Sequence, residues 1–245
     1  MDGILTAAAS GMRARMESLD LLANNIANQA TAGYKADREA YTLYSAFDVI
    51  DPSVEGPPRQ SPLIQDNWTD FSPGTLQATG DPSHLALDGP GYFRVRGPAG
   101  DLLTRAGGFR VNANATLTTA DGYEVLSTGG QPIALQPNVP FTIGRDGTIT
   151  QRGETVATLQ IQEVNGNQAL KKHHGTYFQL ADPNAAQPAT KTGVLQGHLE
   201  GANVAGPESS VRLIEVLRQF ESLQKAIQIG AEMGRRADEI ARVGS

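Results

Sequence analysis

Four histidines, His84, the adjacent pair His173-His174 and His198, are the side chains best suited to proton transfer or metal ligation in this chain. Their spacing supports neither role. No H-E-x-x-H or comparable ligand set occurs, and adjacent residues on a strand point to opposite faces. Beside Lys171-Lys172 the pair reads as solvated loop histidines. Gly89-Pro90-Gly91 lacks the third glycine of a dinucleotide-binding turn, and neither a Walker sequence nor a G-x-S-x-G elbow is present. Asp81, Asp88, Asp101, Asp121 and Asp146 offer carboxylates for acid–base work. They stand beside Gly or Pro in turn contexts, where Asp commonly bonds its own backbone. With no cysteine in 245 residues, thiol nucleophiles, disulfides and Cys-ligated zinc are excluded. The sequence predicts no catalytic residue, no cofactor and no metal, and therefore no enzyme.

Binding chemistry is scarcely richer. Asn67-Trp68-Thr69 and Asn114-Ala115-Thr116 match the glycosylation acceptor pattern, which is common by chance. Trp68 and Tyr92 could stack on a sugar, although a lone Trp more often packs a linker onto a domain. The more unusual run is Ala23-Asn24-Asn25-Ile26-Ala27-Asn28, which puts three asparagines into a helical segment where Asn is a mediocre helix former. Asn24 and Asn28 share a face at i,i+4, and Asn25 and Asn28 at i,i+3. Their amides are expected to make lateral bonds to neighbouring subunits.

The elements that must position these residues fall into zones of different periodicity. In the first thirty residues, Leu5, Ala9, Met12, Met16, Leu19, Ala23 and Ile26 recur at alternating spacings of four and three, a heptad seam. Thr31-Ala32-Gly33 supplies the stop, with Gly33 suited to a left-handed position. Pro52, Pro57-Pro58, Pro62, Pro73 and Pro82 then punctuate a polar stretch that reads as extended linker, with one short strand near Leu76. Strands and tight turns follow. Tyr92–Arg96 and Leu102–Thr104 flank a Gly-Pro-Ala-Gly-Asp turn, and Arg145-Asp146-Gly147-Thr148 separates Phe141–Ile143 from Ile149. Ala157, Leu159 and Ile161 alternate with polar residues. After Gly206-Pro207, Leu213, Val216, Phe220, Leu223 and Ile227 form a second helical stripe, widened by Leu217. Acidic and hydroxyl residues stand at its start and arginines near its end.

The predicted fold is therefore α+β: a mainly β central domain of short antiparallel strands, with amino- and carboxy-terminal amphipathic helices that pair as a coiled coil. The boundaries are residues 1–35 for the first helix, 36–82 for the extended linker, 83–200 for the β domain and 201–245 for the last helix. Neither seam carries enough large side chains to hold a helix alone, so each needs the other helix or a copy of the chain as partner.

Composition narrows the partners. Twenty basic against 26 acidic residues gives a net charge of −6, which argues against nucleic acid. No apolar stretch approaches the length of a membrane span. Met1-Asp2-Gly3 is acidic where a cleavable signal peptide is basic.

The asparagine run, continued as Thr31-Ala32-Gly33-Tyr34-Lys35, resembles the amino-terminal signature of bacterial flagellar rod and hook proteins. The resemblance extends through Thr79-Gly80-Asp81, Leu85-Ala86-Leu87-Asp88-Gly89-Pro90-Gly91-Tyr92-Phe93 and Thr104-Arg105-Ala106-Gly107 with Phe109. It continues through Asp121-Gly122-Tyr123, Gly197-His198-Leu199-Glu200, Asn203-Val204, Leu213-Ile214 and Gln219-Phe220-Glu221, all in the family's order. It implies a structural subunit of the basal-body rod, exported through the flagellar type III apparatus without signal cleavage. Its partners would be copies of itself and other rod and hook proteins. The seams Leu5, Met12, Met16, Leu19, Ile26 and Leu213, Val216, Phe220, Leu223, Ile227 would build the axial coiled-coil layer, with Asn24, Asn25 and Asn28 in lateral contacts. Chain length and the short connection favour the proximal rod. The distal rod is the alternative, and a β module gripping cell-wall glycan through Trp68 and Tyr92 is a further reading.

Overall fold

A computed structural model of the chain describes residues 2–45, 60–164, 166 and 169–243. The chain opens with helix α1 (Asp2–Ala27) and closes with helix α2 (Gly206–Val243). Strands β1 (Asp37–Ser45), β2 (Gln60–Thr69), β3 (Leu76–Ala78) and β4 (Leu85–Asp88) follow α1. Then come β5 (Gly91–Gly97), β6 (Gly100–Thr104), β7 (Arg110–Val111), β8 (Leu117–Thr118) and β9 (Glu124–Val125). The third group is β10 (Phe141–Ile143), β11 (Thr148–Gln151), β12 (Glu154–Thr158), β13 (Ile161–Val164) and β14 (Leu170–His174). Last are β15 (Tyr177–Leu180), β16 (Ala186–Pro188), β17 (Gly193–Gln196) and β18 (His198–Glu200). Every pairing between these strands is antiparallel. The fold class is α+β, as the periodicities predict.

Two compact units divide the chain. One comprises Met1–Ala27, Asp37–Asp70 and Ala205–Ser245, the other Asn28–Ala36 and Phe71–Val204.

In the helical unit, the buried face of α1 is made of small side chains: Ala8, Gly11, Ala14 and Ser18, with Leu22 and Asn25 toward its end. Small residues let a neighbouring helix approach closely. A Cβ on Gly11 would stand 3.6 Å from Leu223 of α2. Further along, Ser18 of α1 and Arg212 of α2 both donate to Oε1 of Glu39, at 2.8 and 2.9 Å. Residue 11 thus lies by 223 and residue 18 near 212, so the helices run antiparallel. Glu39 comes from β1, and this is where expectation and structure diverge. The stretch read as extended linker over 36–82 carries a hairpin, β1 paired with β2 from Asp37↔Thr69 to Ser45↔Gln60 with a bulge at Ala40/Tyr41. Tyr41-Thr42-Leu43-Tyr44 and Leu63-Ile64 are strand formers, and a two-stranded sheet is all edge, so Pro62 is tolerated within it. The prolines at 52, 57 and 58 lie outside the described residues.

The β unit is organised around β5. One of its edges pairs with β6; the other is shared, Gly91–Phe93 with β13 and Val95–Arg96 with β9. These belong to a nine-stranded sheet ordered β14-β15-β6-β5-β9-β8-β7, with β13 and β16 off that path. β10-β11-β12 form a separate sheet, and β17-β4 and β18-β3 are two-stranded. The predicted hairpins β5–β6 and β10–β11 are present, the second turning through Gly147 at φ +82°. Leu85, Phe93, Val95, Phe109, Leu117 and Ile149 fill the core, with the Phe93 and Phe109 rings edge to face at 5.0 Å. The strand foreseen near Leu76 is β3.

Candidate functional site

The titratable groups singled out from sequence hold turns and pairs rather than a reaction centre. Asp81 Oδ1 accepts from the Ser83 amide and hydroxyl, and Asp146 accepts from the Thr148 amide and hydroxyl. These bonds hold both carboxyls below the usual Asp range. Asp88 pairs with Arg145 and Asp101 with Arg94, while Asp121 accepts from the Tyr177 hydroxyl at 2.7 Å. His84 Nδ1 meets Thr79 Oγ1, and His198 Nδ1 meets the Gln196 carbonyl. His173 and His174 sit on strand β14 rather than in a loop. A bulge between Lys172 and His174 overrides the usual alternation and brings the two rings to 5.0 Å. Among the described residues no three His, Asp or Glu side chains group as metal ligands.

The concentrated chemistry lies elsewhere, in a buried ionic cluster assembled from distant segments of the β unit. Lys35 Nζ donates to Glu200 Oε1 at 2.6 Å and to the Ser72 carbonyl at 2.7 Å. Arg105 Nη1 donates to Glu200 Oε2 at 3.0 Å, while Nη2 binds the Gly89 carbonyl. The Gly74 amide also donates to Glu200 Oε1. Lys35 and Glu200 are each 1% exposed and Arg105 5%, so one carboxylate is shared by two cations away from water. Buried charges survive only when paired and hydrogen-bonded; of the donors here, Arg105 Nε alone is buried without a partner among the described residues.

Backbone contacts close the same junction. The Gly33 amide donates to the Glu200 carbonyl at 2.7 Å, and the Ala36 amide to Asn203 Oδ1 at 2.7 Å. Asn203 Nδ2 reaches Ser72. Gly33 has φ +71°, as its sequence position predicts, though α1 has already ended at Ala27. A Cβ there would fall 2.2 Å from the Ala106 amide nitrogen. Lys172 Nζ stands 4.2 Å above the Tyr34 ring and donates to the Lys35 carbonyl. Sequence reasoning did not single out Lys35, Arg105 or Glu200. The available signal was a charged residue inside three small-residue, glycine-bearing motifs: Gly33-Tyr34-Lys35-Ala36, Thr104-Arg105-Ala106-Gly107 and Leu199-Glu200-Gly201.

Tyr92 belongs to this neighbourhood and not to a sugar-binding surface. It is 5% exposed, packs against Phe71 and Phe178, and lies 5.1 Å from the Arg105 guanidinium. With its ring faces buried, it has no platform to offer a glycan, and the stacking role drawn for it fails. Burial pushes its phenol up to about 12, with Arg105 opposing the rise and Glu200 adding to it. The folded chain thus holds this proton more tightly than the unfolded one, where the ordinary value is 10.0. Its contribution is complete below pH 10 and lost as pH rises through 12. Stability should fall by roughly 2–3 kcal/mol across that window from this group. Urea midpoints measured at stepped alkaline pH should show Tyr92→Phe flattening the slope.

The helical candidates are placed as follows. Val216 is buried, and Met12, Leu19, Ile26, Leu213, Phe220, Leu223 and Ile227 are half-buried. Met16 is exposed at 53%; Leu5 lies in α1 with its side chain outside the described ones. The face of α1 buried within the chain is rotated from the predicted seam by about one residue, because Ala8, Gly11 and Ser18 form it. Asn24 is exposed, and Asn28 accepts from the Thr31 hydroxyl. Asn25 departs from the expected lateral role. It is 7% exposed and clamps Asp37 in its own chain, Nδ2 donating to the carbonyl at 2.8 Å and Oδ1 accepting from the amide at 3.1 Å. On α2 a further apolar face, Val211, Ile214, Leu217, Ile229 and Met233, is exposed.

Residues 86–151 match the family described as the flagellar hook protein FlgE/F/G D1 domain, and residues 195–240 match the flagellar basal body rod FlgEFG protein C-terminal family. The chain is 30% identical over 242 residues to the flagellar basal-body rod protein FlgF of Caulobacter vibrioides, covering 98% of each. It is 29% identical to the flagellar basal-body rod protein FlgG of Bacillus subtilis, over 91% of this chain and 93% of that one. Similarity to the flagellar hook protein FlgE of Brucella melitensis, 37% identical, spans 66% of this chain but 36% of the hook protein.

Proposed function

Because this chain belongs to the flagellar basal-body rod and hook protein family, we propose that it is a structural subunit of the rod, positioned in its proximal segment and assembling through its terminal helices. The observation that carries the reading is the uncovered apolar surface of the helical unit. Val211, Ile214, Ile229 and Met233 of α2 and Met16 of α1 are each more than half exposed. A face this apolar on a long helix is a protein–protein surface. Helices packed against one another within the chain and against neighbouring copies would form the axial coiled-coil layer. Leu19, Phe220 and their seam neighbours would be shared between intramolecular and intersubunit packing, and Asn24 and Asn28 would bond laterally. No helix among the described residues is long and apolar enough to cross a membrane. Delivery would be through the flagellar type III export apparatus, to a basal body spanning the periplasm.

A hook subunit fits less well, since the hook relative carries nearly two-thirds of its length outside the similarity. The distal rod is the second reading, favoured by the similarity to FlgG along almost the whole chain. Quantitative mass spectrometry of isolated hook–basal bodies separates the two: few copies fractionating with the rod support the proximal position, and a higher copy number the distal one. Absence from intact particles would overturn both. Leu19→Glu and Phe220→Glu are expected to abolish motility and incorporation while far-UV circular dichroism retains the β signal. Normal incorporation of both variants would sink the helical-assembly assignment.

A further inference from the structure

The buried ionic cluster joins three stretches of chain, residues 33–36, 72–75 and 200–203, each next to a point where the chain passes from one unit to the other. Gly33 comes six residues after the end of α1, and Glu200 six residues before the start of α2. We infer that these three stretches form a latch, opening and closing as one piece on a β core that remains folded in either state.

Three observations carry this. First, the two hydrophobic clusters of the β unit form without the latch, whose own buried apolar side chains, Tyr34 and Ala36, lie outside both. Neither hydrophobic cluster contains any residue of 31–36 or 197–204, and of the segment 71–75 only Phe71 packs against one. Second, the latch is held by interactions that depend on one another. Glu200 alone receives Lys35, Arg105 and the Gly74 amide on its carboxylate and the Gly33 amide on its carbonyl. Withdrawing any one segment leaves buried charge or buried donors unpaired, so partial opening is penalised and the stretches move together. Third, closure requires backbone to lie directly on backbone. A Cβ on Gly74 would stand 1.9 Å from the Gly201 carbonyl oxygen, and that on Gly33 would meet Ala106 as described. The contact has two arrangements, docked or undocked, because no side chain is there to take up an intermediate one. The consequence is a conformational device within the β unit, at the stretches beside the chain's crossings into the helical unit: it closes or opens while β5 and its neighbours stay intact.

Amide hydrogen exchange on the full-length chain tests this, read at Gly33, Ala36, residue 74 and Gly201 against Leu117, Leu126 and Ile133 in the core, all hydrogen-bonded in the structure. Two variants attack the latch by different routes. K35M removes one cation and leaves the backbone free to dock; G74A leaves every charge in place and blocks docking. In both, exchange at the four latch amides is expected to accelerate by about a hundredfold or more, with the core amides within about threefold of wild type. Parallel acceleration of the core amides would make the cluster part of the global core and overturn the proposal. So would unchanged exchange at the latch. The readout is taken on the isolated chain and is independent of the rod assignment, so either can fail without the other.

Discussion

Glu200→Gln is expected to destabilise the closed junction by about 3–5 kcal/mol, the range for breaking a buried ion pair by removing one partner. The substitution changes almost no volume and retains an acceptor oxygen, so the loss is electrostatic. In the native cluster one carboxylate lies between two cations, Lys35 at 2.6 Å and Arg105 at 3.0 Å. Neutralising it leaves two buried positive charges facing each other with no counter-ion. The opposite substitutions predict the opposite ranking. Arg105→Met leaves a neutral Lys35–Glu200 pair, and its expected loss, about 1–3 kcal/mol, comes from the Gly89 carbonyl and Glu200 Oε2 losing their donor. Urea denaturation of the three proteins at neutral pH should place wild type above Arg105→Met and Arg105→Met above Glu200→Gln. The reverse order would mean that hydrogen bonding, and not charge balance, holds the cluster.

Truncating Phe93 to alanine is expected to cost the β unit about 3–5 kcal/mol, the usual range for a fully buried aromatic. Phe93 is 0% exposed, lies in the strand that pairs on both edges, and meets Phe109 edge to face. The cavity would sit where β13, β6 and the loop bearing Phe109 converge, so no single segment can collapse into it. Phe93→Leu should recover more than half of the loss by refilling most of the volume. Thermal unfolding followed by circular dichroism in the β region checks both, and a fall of only a degree or two for Phe93→Ala would show that the core repacks.

What could be read from sequence was what short-range chemistry dictates. Gly97-Pro98-Ala99-Gly100 and Arg145-Asp146-Gly147 announce their hairpins because turn geometry is a property of neighbouring residues. The helices were legible from spacing, but the inner face of α1 was not. A search for large apolar side chains finds Met16 and passes over Ala8, Gly11 and Ser18, which pack because they are small. The β1–β2 hairpin was hidden by the prolines between its strands, which suggest a linker although the flanking runs are strand formers. Asn25 was recognised as unusual, yet its amide is engaged with Asp37 twelve residues on, a contact no helical wheel displays. Lys35, Arg105 and Glu200 were the least legible of all. Their pairing spans up to 165 residues, and the local mark, a charge set among small residues and glycine, does not say which charge it will meet.

That separation also sets a timetable. Lys35 and Glu200 stand 165 residues apart, and Ala36 and Asn203 167. Closing so long a loop adds little entropy beyond a shorter one, since each doubling of length costs only about 0.6 kcal/mol. The penalty falls on folding speed, because contacts this non-local form late. A chain delivered amino end first, from a ribosome or through a pore, presents Gly33-Tyr34-Lys35 long before Glu200 and Asn203 exist. The carboxylate that pairs Lys35 comes among the last partners, so the order of delivery postpones closure of the cluster until that stretch is out.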